Sequence, residues 1–253
     1  MRKDDLALVA PSDIAAAIGL LTRLPVPVDT ARATARGVRA AWAWPLAGLA
    51  VGLLTGGVAT AAGWLGLPSG IIATILIASQ IAVTGAMHED GLADSLDGLW
   101  GGWDRDRRLE IMKDSRIGAY GVIGLILTLL LRWQVWTLLL ATGHLWAPLL
   151  AVAALSRVPM AALMWALPQA RDSGLSRAVG RPALSTLALS AGIGVIIACV
   201  TLGWATLPAI IAIVFTTTIW GLIARAKIGG QSGDILGAAQ QWAEIAVLCL
   251  LVT

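Results

Sequence analysis

Apolar residues run along this chain in seven long stretches separated by short polar segments. The stretches cover about residues 40–64, 70–88, 117–141, 145–168, 183–203, 205–224 and 238–253. A helix needs roughly 20 apolar residues to cross a hydrocarbon layer of about 30 Å, so each stretch predicts a membrane-spanning helix. The last is short for a span and contains Glu244. Ahead of the first, Ile14, Ala17, Ile18 and Leu21 recur at helical spacing. That spacing predicts an amphipathic helix over 12–22, lying on the membrane surface or re-entering it. The expected fold is therefore all-α and polytopic, with about seven transmembrane helices plus an N-terminal interfacial or re-entrant helix. It forms one domain over 1–253. Residues 1–39 make a cytoplasmic or interfacial segment, and 89–116 a charged cytoplasmic loop.

Composition strengthens this reading. Of 253 residues, 58% are hydrophobic and 13% charged, against roughly 25% charged in soluble domains. Mean hydropathy is +0.81. The start, Met1–Asp5, is charged and short, and no small-residue cleavage site follows it, so a cleaved signal peptide is not expected. Cys199 and Cys249 fall in apolar runs and read as packing residues. Trp42, Trp44, Trp64, Trp146, Trp204 and Trp242 sit near the ends of apolar runs, as interfacial anchors do. No aromatic binding box is read from them. Gly48, Gly52 and Gly56 recur every four residues in the first span, a spacing that lets helices approach closely.

The charges sort by loop. Sixteen of the 18 Lys and Arg residues lie before the first span or on every second loop after it. Arg132 and Arg157 lie inside spans. Positive loops stay in the cytoplasm, so the N-terminus is expected there, with the C-terminus outside. Fourteen of the 15 acidic residues follow the same side, the exception being Glu244. Topology rules do not demand this of carboxylates, so their clustering asks for a chemical reason.

The chemistry concentrates in His88-Glu-Asp-Gly-Leu-Ala-Asp-Ser-Leu-Asp-Gly98. On a helix Asp90, Asp94 and Asp97 fall within about 60° of one another. Like charges at that spacing repel, and a divalent cation held by hard oxygen ligands, Mg²⁺ or Mn²⁺, would relieve them. A solvated acidic face is the alternative. A calcium-binding loop is not, since Leu92 stands where a ligand is needed. Next, Arg107-Arg-Leu-Glu-Ile-Met-Lys-Asp-Ser-Arg-Ile-Gly118 carries Arg108, Lys113 and Arg116, which suit phosphate oxygens. Asp114 would complete a metal site or act as a base. An exposed amphipathic helix explains the same segment more plainly. Together the two segments point to metal-assisted phosphoryl transfer.

Three weaker signals remain. Gly229-Gly-Gln-Ser-Gly-Asp-Ile-Leu-Gly237 is a glycine-rich loop opening a helix, where an anion finds backbone N–H groups. Gln231 and Asp234 are its candidate site residues, Asp234 alternatively as a helix cap. His88 is a base, a ligand or a structural group. Arg157 inside a span either reaches a phosphate or pairs with a carboxylate, Glu244 is suspect for the same reason, and Arg132, without an evident partner, is expected to snorkel.

In these motifs the chain resembles the cobalamin synthase family, the adenosylcobinamide-GDP ribazoletransferases. The resemblance rests on His88–Gly98 followed by Leu109-Glu-Ile-Met-Lys-Asp-Ser-Arg-Ile-Gly118. It extends to Leu21-Thr-Arg-Leu-Pro-Val-Pro27, Trp44-Pro-Leu-Ala-Gly48 and Gly230-Gln-Ser-Gly-Asp-Ile-Leu-Gly-Ala238. One departure is Gln240-Gln241, where many relatives carry a carboxylate. The resemblance implies a Mg²⁺-dependent inner-membrane enzyme that joins α-ribazole, or its 5′-phosphate, to adenosylcobinamide-GDP and releases GMP. Asp90, Asp94, Asp97 and Asp114 would hold the metal on the diphosphate. One of these, or Glu89, would accept the hydroxyl proton, and Arg108, Lys113 and Arg116 would grip the diphosphate.

The expected partners are the nucleotide and corrinoid substrates and the lipid bilayer, with no nucleic acid. A homo-oligomer, or association with other cobalamin-assembly enzymes, is compatible. Two other classes compete. Asp94-Ser-Leu-Asp97-Gly98 matches the start of the signature of lipid-headgroup transfer from a CDP-alcohol, but Gly101-Gly102 stands where Ala-Arg is expected. A transporter with an acidic gate would instead spread its ionisable residues along several spans.

Overall fold

The computed structural model describes residues 7–252, so the charged start Met1–Asp5 lies outside the described part. Those residues are helical, with one isolated pair of parallel-bridged residues, Gln169 and Gln231, and no strand. Helices α1 (Ser12–Leu21) and α2 (Thr30–Arg36) lead through a 3₁₀ segment, Gly37–Ala43, into α3 (Trp44–Trp64). There follow α4 (Ser69–Thr84), α5 (Met87–Gly101), α6 (Arg105–Ile111) and α7 (Ala119–Ala141). Then come α8 (Trp146–Leu155), α9 (Val158–Ala166), α10 (Leu175–Val179), α11 (Leu184–Leu202), α12 (Thr206–Ile228) and α13 (Gly233–Leu250).

Four helical stretches are long and apolar enough to cross a membrane: 30–64, 119–141, 146–166 and 184–228. The pair α4 and α5 passes the same test together and makes a fifth, bent by 88°. These stretches support a membrane protein without resolving the expected seven separate spans. The 184–228 stretch has 45 residues, about twice what one crossing needs, and it breaks at Gly203, whose φ is +57°. Helix α13 falls outside this set, although it is 18 residues long. It carries Asp234, Gln240, Gln241 and Glu244 in place of lipid-facing apolar groups.

Helix α1 does not merely rest on a surface. Ala17 and Leu21 are buried beside α3, while Ile14 stays exposed. Asp13, also buried, accepts hydrogen bonds from the guanidinium of Arg36 and from Trp42 Nε1 at 2.7 Å. The tryptophans divide accordingly. Trp64, Trp146 and Trp204 are exposed as anchors should be, but Trp42 and Trp44 are core residues.

The small-residue stripe of α3 does pack closely. A Cβ on Gly48 would run into the carbonyl oxygen of Ala153, and one on Gly56 would lie 2.6 Å from the Trp146 ring. The segment 89–116, expected as a loop, is mostly the helices α5 and α6. Gly85 and Ala86 make the corner before α5, with φ of +66° and +58°. A non-glycine residue there is strained by roughly 1 kcal/mol, which tertiary packing must hold in place. That packing is the seam between α5 and α13. A Cβ on Gly91 would lie 2.9 Å from the Asp234 carbonyl oxygen, and one on Gly237 would lie 3.4 Å from His88 Cα.

Candidate active site

Helix α5 carries its carboxylates into three different surroundings. Asp90 is exposed and Asp94 half-buried, and neither carboxylate has a hydrogen-bond or ion-pair partner among the described residues. They lie one turn apart and within electrostatic reach of Asp234 and Arg171. Asp97 is different. Its two oxygens accept from Gly118 N–H at 2.7 Å and Gly121 N–H at 2.9 Å, at the start of α7. A Cβ on Gly118 or Gly121 would collide with that carboxylate, so the glycines admit it. Asp97 is therefore an anchor for α7, so the expected three-aspartate metal set divides into two free carboxylates and one that already accepts two N–H groups. Among the described residues no three His, Cys, Asp or Glu side chains gather as a metal cluster.

Glu89, the candidate base, faces inward. Its Oε1 accepts from Arg132 Nη1 at 3.0 Å and from Gln241 Nε2 at 3.2 Å. Arg132 also pairs with Glu244 at 2.9 Å and donates to Gln80 Oε1 at 3.1 Å and Gln241 Oε1 at 3.1 Å. Arg132 thus does not snorkel; it is 2% exposed and holds α4, α5, α7 and α13 together. Gln240 extends the cluster by donating to Glu244 at 2.7 Å and to Ser156 at 3.0 Å. Arg157 donates to Ser156 Oγ and to the Ala153 carbonyl. Buried as it is, Arg157 belongs to this cluster and is not placed to reach a phosphate at a surface. His88 is buried beside these groups, and its Nε2 has no hydrogen-bond partner among the described residues.

The basic helix α6 is sewn to its neighbours. Arg108 donates to the carbonyls of Gly102 and Lys227 at 3.0 Å each, and Arg105 donates to those of Ile228 and Ala170. Arg108, expected to hold phosphate, thus has two of its donors engaged by backbone carbonyls. Asp114 and Arg116 pair with each other on the exposed turn after α6, at 2.6 Å. The Arg116 hydrogen bonds hold the Asp114 carboxyl down, to about 2. Asp114 is thus neither a free base nor a free ligand here, while Lys113 is exposed and has no partner among the described residues.

The glycine-rich loop before α13 behaves partly as expected. Ser232, not Asp234, caps α13, accepting from Ile235 N–H. Gln231 is buried and joins Pro168 and Ala170 through its backbone at 2.9 and 2.8 Å, while its Oε1 accepts from Ser176. Asp234 pairs with Arg171 at 2.9 Å and accepts from Ser232 Oγ. Burial pushes the Asp234 carboxyl above the ordinary range, against the pull of Arg171. Asp90, Arg171, Ser232 and Asp234 line one cavity of about 270 Å³. Sequence reasoning missed Arg171, which it counted only as loop charge.

Two unpartnered carboxylates one helical turn apart fit a hard divalent cation. Mg²⁺ is often held by one or two protein carboxylates, its other positions filled by water and substrate phosphates. Asp90 and Asp94 supply that pair, and Arg171 supplies a nearby fork for phosphate oxygens.

Comparison with known proteins agrees with the resemblance. The family model for cobalamin-5-phosphate synthase matches residues 13–252. An adenosylcobinamide-GDP ribazoletransferase of Bradyrhizobium diazoefficiens is 41% identical over 241 residues, covering 94% of this chain and 92% of that protein. Proteins of the same name from Mesorhizobium japonicum and Sinorhizobium medicae are 41% and 42% identical, each over 93% of this chain and 91% and 94% of their own lengths. No solved structure matches. With nearly its whole length aligned, this chain belongs to the cobalamin-5-phosphate synthase family.

Proposed function

We propose that this protein is an adenosylcobinamide-GDP ribazoletransferase. It moves the phospho-cobinamide group from adenosylcobinamide-GDP to α-ribazole or its 5′-phosphate and releases GMP. It works at the cytoplasmic face of a cell inner membrane, with the N-terminus inside and seven spans, the last over 238–253. The basic loops support this orientation, because positive charge is retained on the cytoplasmic side.

The observation that carries the reading is the free carboxylate pair on α5: Asp90 lines a cavity that also bears the Arg171–Asp234 ion pair, and Asp94, one turn on, lies within electrostatic reach of all three. The ribazole 3′-hydroxyl attacks the phosphorus that bears the cobinamide arm. The P–O bond to GMP breaks, GMP leaves as the anion, and the hydroxyl proton passes to a base. Mg²⁺, held by Asp90 and Asp94, would neutralise diphosphate charge. Arg171, already paired with Asp234, adds positive charge for phosphate oxygens beside the cavity, and the exposed Lys113 is a further cation on the turn after α6. Asp234 is the carboxylate nearest Arg171; held above its ordinary pKa by burial, it is suited to take up the hydroxyl proton.

The test is GMP release by purified protein in detergent, given adenosylcobinamide-GDP and α-ribazole with and without EDTA. Turnover that stops with EDTA and returns with Mg²⁺ is expected. Absence of turnover in fully folded protein with Mg²⁺ present would remove the reading.

A further inference from the structure

The cavity at the acidic site does not end there. It abuts a second, apolar cavity of about 60 Å³, sharing Met87, Leu175, Ser176 and Gly233 with it. The walls of this second chamber include Trp44, Met87, Met160, Met164 and Leu236. Its polar wall residues are Ser176, whose hydroxyl is already bonded to Gln169 and Gln231, and His88, whose buried Nε2 has no hydrogen-bond partner among the described residues. A leftover polar atom beside an apolar chamber is costly unless a ligand satisfies it.

A third cavity of about 220 Å³ adjoins the second, sharing Leu20, Trp44, Leu175 and Val179 with it. The compartments thus run from charged at the acidic site to largely apolar beyond it. That order matches a nucleoside whose sugar is polar and whose base is uncharged and apolar. Resting on the proposed function, we infer that the His88 chamber receives the aromatic base of the acceptor nucleoside, with His88 Nε2 hydrogen-bonded to a ring nitrogen.

The other substrate fits this chamber poorly. A guanine base carries several donors and acceptors, and one imidazole would leave most of them unpaired. The chamber is small for a bicyclic ring as it stands. Three of its walls are methionines, the side chains that reshape most easily around an apolar guest. Trp44 offers a flat face for stacking against such a ring. The placement also holds the sugar at the mouth, toward Asp90 and Asp234, where the hydroxyl has to react.

The experiment measures KM separately for α-ribazole and for adenosylcobinamide-GDP in full-length protein. Two substitutions fill the chamber from different helices, Met164→Phe on α9 and Leu236→Phe on α13. A third, His88→Phe, removes the ring nitrogens. In each folded variant KM for α-ribazole is expected to rise at least about tenfold, with KM for adenosylcobinamide-GDP within about twofold of wild type. His88→Phe should also lose less against an acceptor whose base lacks the ring nitrogen. If the filled variants raise KM for adenosylcobinamide-GDP, or leave both constants unchanged, the chamber belongs to another occupant, such as a lipid tail, and the inference falls. Because wild-type turnover is measured in the same series, a failure of the proposed reaction itself would be seen separately.

Discussion

Glu89 and Asp90 are neighbours in sequence and opposites in circumstance. Glu89 enters a cluster in which Arg132, Glu244, Gln80, Gln240, Gln241 and Ser156 answer one another deep between helices. Asp90 and Asp94 stand on the same helix with no side-chain partner among the described residues. A charge that is buried and matched holds architecture, since losing either side leaves the other stranded. A charge left without a protein partner, as Asp90 and Asp94 are among the described residues, stays available to a cation or ligand. The two regions share α5, so the architectural cluster fixes the height and rotation at which the free pair is presented.

The sharpest way to break this contrast is Arg132→Met. It strands Glu89 and Glu244 together, and stability should fall by about 3–5 kcal/mol, seen as a lower unfolding midpoint in detergent. On the other side, Asp94→Ala should cut GMP release by about 10²–10³-fold, the loss of several kcal/mol of charge stabilisation. Its unfolding midpoint should stay at or above wild type, because a like-charge repulsion is relieved. A large drop in midpoint would mean that Asp94 belongs with the architectural group after all.

Gly91→Ala probes the seam between the two regions. The added methyl meets the Asp234 backbone at 2.9 Å, and overpacking of this kind costs roughly 1–3 kcal/mol. Activity should fall with stability there, unlike in Asp94→Ala. Asp97→Ala removes the bonds at the start of α7 and should cost about 1 kcal/mol, a loss visible without metal or substrate. Smallest is the exposed Asp114–Arg116 pair. The Asp114 carboxyl is lowered in the folded state, so its contribution is complete above the ordinary range near 4 and disappears as pH falls through about 2. A titration of unfolding midpoint should show little change from this pair, as surface ion pairs are weak.

Much of this was legible in the sequence. The helical class and the membrane character follow from the apolar runs, and Asp90, Asp94 and Asp234 stand out by spacing and by loop. Asp97 did not separate from its neighbours, because a helical wheel gives a residue's direction and not what waits opposite it. Gly118 and Gly121, more than 20 residues on, decide its role. Arg132 looked solitary because its partners are 43 and 112 positions away in sequence, though an Arg and Glu244 placed in separate apolar runs were a signal that they would pair. Arg171 was hidden by a sufficient explanation, since a basic loop residue already satisfied the topology rule. Trp44 was masked in the same way by the habit of tryptophan at interfaces.

The corner at Gly85 and Ala86 sets the indexing of everything after it. One residue inserted there would turn α5 by about 100°, the same angle that separates Glu89 from Asp90. The socket occupied by Glu89 would then be offered another side chain, and the open rim a different pair. This stretch should accept exchange of residues far more readily than any change in their number.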